Sequence, residues 1–225
     1  MSRVYLVRHG QAAFGTADYD RLSDTGVAQC QRLARHWRAI GRGVDLVYSG
    51  TLSRQRESAD AFVKAASEAG GPLLPVRLVP GLEEYDYLGL LAAMPESHAP
   101  LEVGSDQRQF HYWLSAALRA WAAGELQGVE PYAVFRDRCA AALATLLGDI
   151  GRGRNAVVFG SAGSLAAAMQ PALGLGDWDL LRLNLTFYNS GVSSLLFDGE
   201  TITIETMNTV SHLEQPAFTH LITHR

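Results

Sequence analysis

"VYLVRHGQAAF", residues 4–14, joins a buried-strand pattern to an abrupt change of chemistry. Its first four residues are apolar and include β-branched and aromatic types, a composition typical of a strand buried on both faces. Arg8, His9 and Gly10 follow at once, so a cation, a titratable ring and a residue without a side chain stand where this strand ends. Because ligands of α/β sheets bind beyond the carboxyl ends of the strands, we expect a functional loop directly after this strand.

The rest of the chain alternates between strand-like and helical patterns. Strand-like apolar runs occupy 44–49, 75–80 and 155–159, and helical patterns occupy 22–40, 52–69, 131–147 and 162–172. Two further apolar segments, 184–197 and 201–207, flank Asp198-Gly199, a dipeptide typical of a hairpin turn. Strands separated by helices favour a parallel sheet, and the hairpin makes one late pair antiparallel. The sequence therefore predicts an α/β three-layer sandwich with a mixed, mostly parallel central sheet and helices on both faces.

Residues 86–130 form a long stretch without a strand pattern. They read as a loop followed by a helix, so we expect a helical insertion that stands over the sheet edge and forms one wall of a site there. No repeat, low-complexity tract or long linker divides the chain. We therefore expect residues 1–225 to form a single domain that includes this insertion.

Composition argues against several classes of protein. The 225 residues are 48% hydrophobic and 19% charged, with a formal net charge of −4. A mildly acidic chain is a poor candidate for binding nucleic acid or a membrane surface, and no apolar run approaches the roughly 20 residues of a membrane helix. Because no signal-peptide pattern is visible and Cys30 and Cys139 are expected to be free buried thiols, the expected location is cytoplasmic. Nothing in the sequence specifies an oligomeric state.

The loops after three strands contain the groups that bind an anion. Arg8 follows the first strand, Arg54 lies in the first turn of the helix after the second, and "GSAGS" (160–164) opens a helix after the fourth. Arginine offers planar, bidentate donors, and a helix N-terminus adds unsatisfied N–H groups. We therefore expect a phosphate-binding pocket where these loops meet. Further donors to the phosphate are expected from Gln11, Ser161 and Ala162.

His9 is the candidate nucleophile of this pocket. Nearby positive charge disfavours protonation, so we expect a neutral imidazole near pH 7. A neutral imidazole can attack phosphorus and form a covalent phosphohistidine, and Gly10 is expected to let the backbone approach the ring or the ligand closely. The leaving oxygen also needs a proton donor, for which "PGLEEYDYL" (80–88) supplies carboxyl groups on Glu83, Glu84 and Asp86. A carboxyl group beside other carboxylates can have the raised pKa that a general acid requires.

These residues resemble the signature of the histidine phosphatase superfamily, which includes phosphoglycerate mutases and many phosphomonoesterases. The matching segments, in the family's order, are "LVRHGQA" (6–12), "LSDTGVAQ" (22–29), "TLSRQRESA" (51–59), "LEEYD" (82–86) and "NTVSHL" (208–213). The resemblance implies a phosphoglycerate-mutase-like fold. It also implies phosphomonoester hydrolysis through phospho-His9, without a metal or other cofactor, and a small phosphorylated substrate or phosphate ion as the binding partner.

The resemblance also assigns roles to individual residues. It places the phosphate clamps at Arg8 and at Arg54, rather than at Arg56, and it favours Glu84 over Glu83 as the proton donor. Glu83 stays the main rival for that role, because both carboxyl groups follow the same strand.

The chain departs from the family pattern after the fourth strand. Relatives usually have a second histidine there, which binds the phosphate, whereas the aligned residue in this chain is Ser161. If the missing group acts like one lost oxyanion donor, its absence lowers the rate on the order of 10²–10³-fold. The alternative function is therefore a catalytically weak or inactive pseudophosphatase that binds phosphorylated ligands or a protein partner. His212 could replace the missing histidine from a distance or could form a structural hydrogen bond in the last loop.

A third interpretation is a serine hydrolase. "FGSAG" (159–163) resembles a nucleophile elbow, and Asp198 and His212 follow in the order that such enzymes use. However, Phe159 stands where the sharp turn needs a small residue, and Asp198 is better explained by the Asp-Gly hairpin. The sequence therefore favours the phosphatase over the serine hydrolase.

Overall fold

The computed structural model describes residues 1–13, 20–95 and 107–224, with side chains from residue 109 onward in the last stretch. The elements, in chain order, are β1 (Ser2–Arg8), α1 (Asp24–Ala39), β2 (Leu46–Ser49), α2 (Ser53–Glu68), β3 (Val76–Leu78), α3 (Tyr87–Ala92), α4 (Gln107–Ala122), α5 (Tyr132–Ile150), β4 (Asn155–Gly160), α6 (Ala162–Leu173), α7 (Asp177–Asn184), β5 (Val192–Phe197) and β6 (Ile202–Thr209). A short 3-10 turn, Thr219–Leu221, follows them.

The strands form one mixed sheet in the order β3-β2-β4-β1-β5-β6. The pairs β3–β2, β2–β4 and β4–β1 are parallel, whereas β1–β5 and β5–β6 are antiparallel. The predicted hairpin is confirmed: β5 and β6 are joined at Asp198-Gly199, where Gly199 has a φ of 114°. Glycine adopts this left-handed conformation without the steric cost that a side chain would meet.

Helices cover both faces of the sheet, so the predicted three-layer α/β fold is confirmed. Val4 and Leu6 of β1 belong to a core that includes residues of α5 and α6. Tyr5 and Val7, which point the opposite way, belong to a second core with residues of α1 and α2. Side chains of a strand alternate between faces, so β1 contributes to both hydrophobic layers.

The register of the central strands determines where the loops meet. Arg8 at the end of β1 is paired with Gly160 of β4, and Ser49 at the end of β2 is paired with Phe159. The carboxyl ends of β1, β2 and β4, three of the four parallel strands, therefore lie at the same edge of the sheet. This alignment brings the loop after β1, the N-terminus of α2 and the N-terminus of α6 side by side.

Two segments differ from the sequence prediction or extend it. Within 86–130, the structure contains α3 and α4, and 96–106 lies outside the described residues. Helix α7 lies between the predicted helix 162–172 and the predicted apolar segment 184–197, and the sequence did not predict it. Its first turn contains Asp177 and Asp179, which interact favourably with the partial positive charge of a helix N-terminus.

The two predicted free thiols are buried in different layers. Cys30 belongs to the core on the α1–α2 side of the sheet, and Cys139 belongs to the core on the opposite side. Among the helices of the described ranges, none has both the length and the apolarity needed to cross a membrane.

Candidate active site

The hydrogen bonds of His9 define its tautomer. Nδ1 lies 2.7 Å from the Gly10 carbonyl oxygen, and Nε2 lies 3.3 Å from Nε of Arg54. A carbonyl oxygen can only accept and a guanidinium can only donate, so Nδ1 carries the proton and Nε2 presents its lone pair. The ring is only 5% exposed. The sequence thus produces an imidazole held in one orientation, with its unprotonated nitrogen facing an arginine.

The surroundings of His9 also keep it neutral. Burial, the charge of Arg54 and the charge of Arg8 lower its pKa well below the ordinary value, and the bond to Gly10 offsets only part of this effect. The lowered pKa agrees with the neutral imidazole that the sequence predicts. A neutral ring, which has a lone pair on one nitrogen, is the form of histidine that can act as a nucleophile.

The two arginines enter the cleft from different elements. Arg54, in the first turn of α2, is 8% exposed, and its Nη1 donates to Oδ1 of Asp20 at 2.7 Å. The other carboxylate oxygen of Asp20 accepts from the backbone N–H of Ser53 at 2.7 Å. Nη1 of Arg8 donates to the carbonyl oxygen of Phe187 and, at 3.1 Å, to that of His224. These bonds fix the orientation of both guanidinium groups in one cleft.

Glu84 lies at the N-terminus of α6 in the same cleft. Its Oε2 accepts from the backbone N–H of Gly163 at 2.9 Å, and its Oε1 accepts from the N–H of Tyr85 at 3.2 Å. Burial raises the pKa of this carboxyl group, and the two N–H groups and the arginines Arg54 and Arg8 counteract only part of the rise. A carboxyl group with a raised pKa beside a nucleophile can act as a proton donor.

Glu83 points into a different set of contacts. It accepts from the Thr51 hydroxyl at 2.5 Å and from the Gly81 N–H at 2.7 Å, and it lies 3.7 Å from Nη1 of Arg138. Burial alone would raise the pKa of Glu83, but these hydrogen bonds and the Arg138 charge outweigh it, and the pKa is lowered. The environments of the two neighbouring carboxyl groups thus shift their pKa values in opposite directions. Glu84 is the one that lines the cleft together with His9 and Arg54.

Gly10 permits close packing between the loop after β1 and α1. A Cβ on Gly10 would lie 2.4 Å from the carbonyl oxygen of Gly26, and a Cβ on Gly26 would lie 2.2 Å from that of Gln11. The Gly10 N–H also donates to Oγ of Ser58 at 3.0 Å. A side chain at either position would therefore press backbone against backbone, between this loop and the first turn of α1.

The carbonyl oxygen of His9 is held from behind by residues that the sequence did not single out. It accepts from the N–H of Ser190 at 3.2 Å and from Nδ2 of Asn189 at 3.4 Å. Nε2 of the buried His212 lies 2.8 Å from Oγ of Ser190. Of the two roles considered for His212, this geometry agrees with the structural hydrogen bond.

The serine-hydrolase interpretation does not agree with these contacts. His212 pairs with Ser190, and Asp198 accepts from the N–H groups of Glu200 and Thr201 within the hairpin turn. The hydroxyl of Ser161 accepts from Nε2 of Gln55. The three residues proposed as a triad therefore interact with three different sets of partners.

The cleft has a polar end and an apolar wall. The polar end consists of Arg8, His9, Arg54, Glu84 and the N-terminal Ala162 of α6. We call the following residues the apolar wall: Tyr85, Tyr87, Phe110, Leu114 and Leu185. Asn184, His111 and His224 complete the described lining. Helices α3 and α4, which fall within 86–130, thus contribute directly to the cleft.

Two predicted phosphate ligands are not among the described residues that line the cleft. Ser161 is fully buried, and its hydroxyl accepts from Nε2 of Gln55 at 2.9 Å. The side-chain oxygen of Gln11 accepts from the hydroxyl of Ser23 at 3.1 Å. Both residues occupy the predicted loops, and their side-chain oxygens accept from neighbouring polar groups.

The donor set of the cleft suits an anion. Two guanidinium groups and a helix N-terminus converge there, which is the arrangement that binds phosphate oxygens. Within the described ranges, no group of three or more His, Cys, Asp or Glu side chains is arranged to hold a metal ion.

Comparisons with known proteins identify the relatives of this chain. A curated relative is the 2,3-bisphosphoglycerate-dependent phosphoglycerate mutase of Methylobacterium sp. (strain 4-46), with 30% identity over 117 residues, which are 49% of this chain and 53% of the mutase. The chain thus aligns with about half the length of that relative.

Similar solved structures share the fold over nearly their whole length. A mutant of Entamoeba histolytica phosphoserine phosphatase in complex with phosphoserine has a TM-score of 0.66 and 18% identity, covering 95% of this chain and 100% of its own. Bacillus stearothermophilus YhfR has a TM-score of 0.68 and 19% identity, covering 94% and 99%. The model of the histidine phosphatase superfamily (branch 1) matches residues 4–210. The chain therefore belongs to the histidine phosphatase superfamily, branch 1.

Proposed function

We propose that this chain hydrolyses small phosphomonoesters through a phosphohistidine on His9. Nε2 of His9 attacks phosphorus, the bond between phosphorus and the ester oxygen breaks, and Glu84 gives its proton to the leaving oxygen. Arg8 and Arg54 bind the phosphoryl oxygens and balance their charge. For this attack, the N–H of Arg54 Nε turns from Nε2 to a phosphoryl oxygen, which frees the lone pair.

The second step returns the enzyme to its starting state. Water attacks the phosphorus of phospho-His9 while the Glu84 carboxylate accepts a proton from that water. The bond between phosphorus and Nε2 breaks, and inorganic phosphate leaves. The net reaction converts one ester and one water into an alcohol and phosphate, and both His9 and Glu84 recover their protonation states.

The observation that carries this proposal is the position of Nε2 of His9, 3.3 Å from Nε of Arg54 in a cleft that also contains Arg8 and Glu84. We expect Arg54→Ala to lower kcat/KM for phenyl phosphate on the order of 10²–10³-fold, because a donor to the transferring phosphoryl group is lost. Release of inorganic phosphate measures this.

The matched control is Arg56→Ala, since Arg56 is exposed and lies in the same helix. We expect this variant to keep kcat/KM within about twofold of wild type, as surface substitutions away from a site usually do. Equal losses in the two variants would contradict the assignment of Arg54 to the phosphate.

One observation favours the alternative of a pseudophosphatase. In the family pattern that the sequence resembles, the residue aligned with the second histidine is Ser161, and the hydroxyl of Ser161 accepts from Gln55 at 2.9 Å. One experiment distinguishes the hydrolase from the pseudophosphatase. If the wild-type chain releases phosphate and His9→Ala does not, the chain is a hydrolase. If the wild-type chain binds vanadate but releases no phosphate, it is a pseudophosphatase.

Gly163 provides a test of the proton donor in which no ionisable group is removed. A Cβ on Gly163 would lie 2.3 Å from Oε1 of Glu84 and 2.5 Å from Cε1 of Tyr85. We expect Gly163→Ala to displace the carboxyl group and to lower kcat by about 10–100-fold, since misplacing a reacting group by about 1 Å has effects of this order.

The control for this variant is Gly148→Ala in α5, where a Cβ would meet no atom within 4 Å. Alanine is the better helix former by roughly 1 kcal/mol, so neither substitution should unfold its helix. Steady-state kinetics and thermal unfolding of both variants separate loss of geometry from loss of fold. An unchanged kcat in Gly163→Ala would contradict the assigned position of Glu84.

A further inference from the structure

The apolar wall adjoins the proposed proton donor. Glu84 and Tyr85 are consecutive, and both line the cleft. Tyr87 begins α3, and its ring meets that of Phe110 at a centroid distance of 6.0 Å and an interplanar angle of 82°. Because Glu84 protonates the leaving oxygen in the proposed mechanism, the alcohol part of the ester has to lie on this side. The residues that meet it are therefore those of the wall.

The wall presents a stable surface instead of a set of isolated side chains. Phe110 and Leu114 lie one helical turn apart on α4, so they share a face of that helix. The Tyr85 ring packs against that of Trp121 at a centroid distance of 5.3 Å, and its hydroxyl accepts from Nδ2 of Asn184 at 3.0 Å. An aromatic wall fixed in this way is suited to pack against a flat apolar group.

The charges of the described lining are concentrated at the phosphate end. Among the described residues of the cleft, Arg8 and Arg54 are the cationic guanidinium groups, and no lysine occurs. Burial, together with the charges of Arg8 and His111, lowers the pKa of the His224 ring. Both arginines are committed to phosphate in the proposed mechanism, so the described wall offers no arginine or lysine to a second anionic group such as a carboxylate.

We propose that the substrate is the phosphomonoester of an uncharged alcohol or phenol with an aromatic or similarly apolar group, which packs against the apolar wall. This inference rests on the proposed hydrolase activity of His9. It separates this chain from relatives that act on esters with a charged alcohol part, because the described wall would desolvate such a part without offering it an arginine or a lysine.

The test compares alkyl esters, so that differences in leaving-group acidity do not decide the result. The esters are phenethyl phosphate, ethyl phosphate and phosphoserine, and the measurement is kcat/KM from phosphate release. We expect the phenethyl ester to exceed both others by roughly 10²-fold, a factor within the range that apolar contacts in a pocket supply.

Two variants of α4 show whether the wall causes this preference. Phe110→Ala should lower kcat/KM for phenethyl phosphate by about tenfold and leave that for ethyl phosphate within about threefold, because only the larger ester reaches the ring. Tyr112→Ala is the matched control, since Tyr112 is on the same helix, is 68% exposed and is not part of the described lining. It should leave both values unchanged.

The outcomes separate this inference from the activity on which it rests. Hydrolysis that favours phosphoserine, or that shows no preference for the phenethyl ester, would overturn the substrate class and leave the hydrolase intact. A phenethyl preference that Phe110→Ala and Tyr112→Ala reduce equally would overturn the role of the wall. Failure to hydrolyse any of the three esters, or phenyl phosphate, would contradict the hydrolase itself.

Discussion

His9→Ala is expected to lower kcat/KM for phosphomonoesters by about 10⁴-fold or more, because it removes the atom that forms the covalent bond to phosphorus. The loss should be in kcat, and binding of vanadate or phosphate should persist, since Arg8 and Arg54 still hold the anion. Phosphate release and anion binding, measured on the same preparation, check both parts of this prediction.

The control for this variant is His220→Ala. His220 is exposed and lies outside the described lining of the cleft. The His220→Ala variant should release phosphate and bind the anion as wild type does. Full turnover in His9→Ala would refute the phosphohistidine mechanism, whatever the kinetics of the other variants.

Glu84→Gln is expected to lower kcat/KM by about 10²–10⁴-fold for alkyl esters, the range typical of general acid catalysis. The loss should be much smaller for p-nitrophenyl phosphate, whose leaving oxygen hardly needs a proton. Glu83→Gln, the matched control, should show no such dependence on the leaving group, because the contacts of Glu83 with Thr51 and Arg138 hold the loop and do not reach the cleft. Equal losses of Glu84→Gln on both classes of ester would contradict proton donation.

The pH dependence follows from the directions of the two pKa shifts. The acid limb of kcat/KM reports His9, whose pKa is lowered by burial and by Arg54 and Arg8, so activity should persist below the usual titration range of histidine. The alkaline limb reports loss of the Glu84 proton, and burial moves this limb above the usual range of a carboxyl group. Glu84→Gln should remove the alkaline limb and leave the acid limb unchanged. Ionisation of the ester affects the pH profiles of the variant and of wild type equally, so it does not contribute to the difference between them.

The location of the site could be predicted from the sequence because it depends on local signals. A buried strand that stops at Arg8-His9, and a helix that starts near Arg54, each mark the carboxyl end of a parallel strand. Parallel pairing then aligns these ends, as the register of Arg8 with Gly160 shows. Glu84 could be favoured over Glu83 only through the family resemblance. The structure adds that the contacts of the two carboxyl groups differ: Glu84 accepts from the N–H of Gly163 and lines the cleft, whereas Glu83 accepts from the hydroxyl of Thr51.

Side-chain directions could not be predicted, because they depend on partners far away in the chain. Ser161 occupies the predicted loop, yet its hydroxyl bonds to Gln55. Asp20 binds Arg54 across 34 residues, and Asn189 reaches the His9 carbonyl across 180. No local spacing signals such pairs. The apolar wall was equally hidden, since Phe110 and Leu114 look like ordinary core positions until α4 is placed against the cleft.

Trapping the phosphorylated enzyme tests the central claim most directly. The wild-type chain is mixed with excess phenyl phosphate, quenched in alkali, in which phosphohistidine survives, and digested for mass spectrometry. The account predicts one phosphoryl group on Nε2 of His9, formed faster than steady-state turnover and absent from His9→Ala. A chain that turns over while the peptide containing His9 stays unmodified, or that carries the phosphoryl group on another residue, would contradict it.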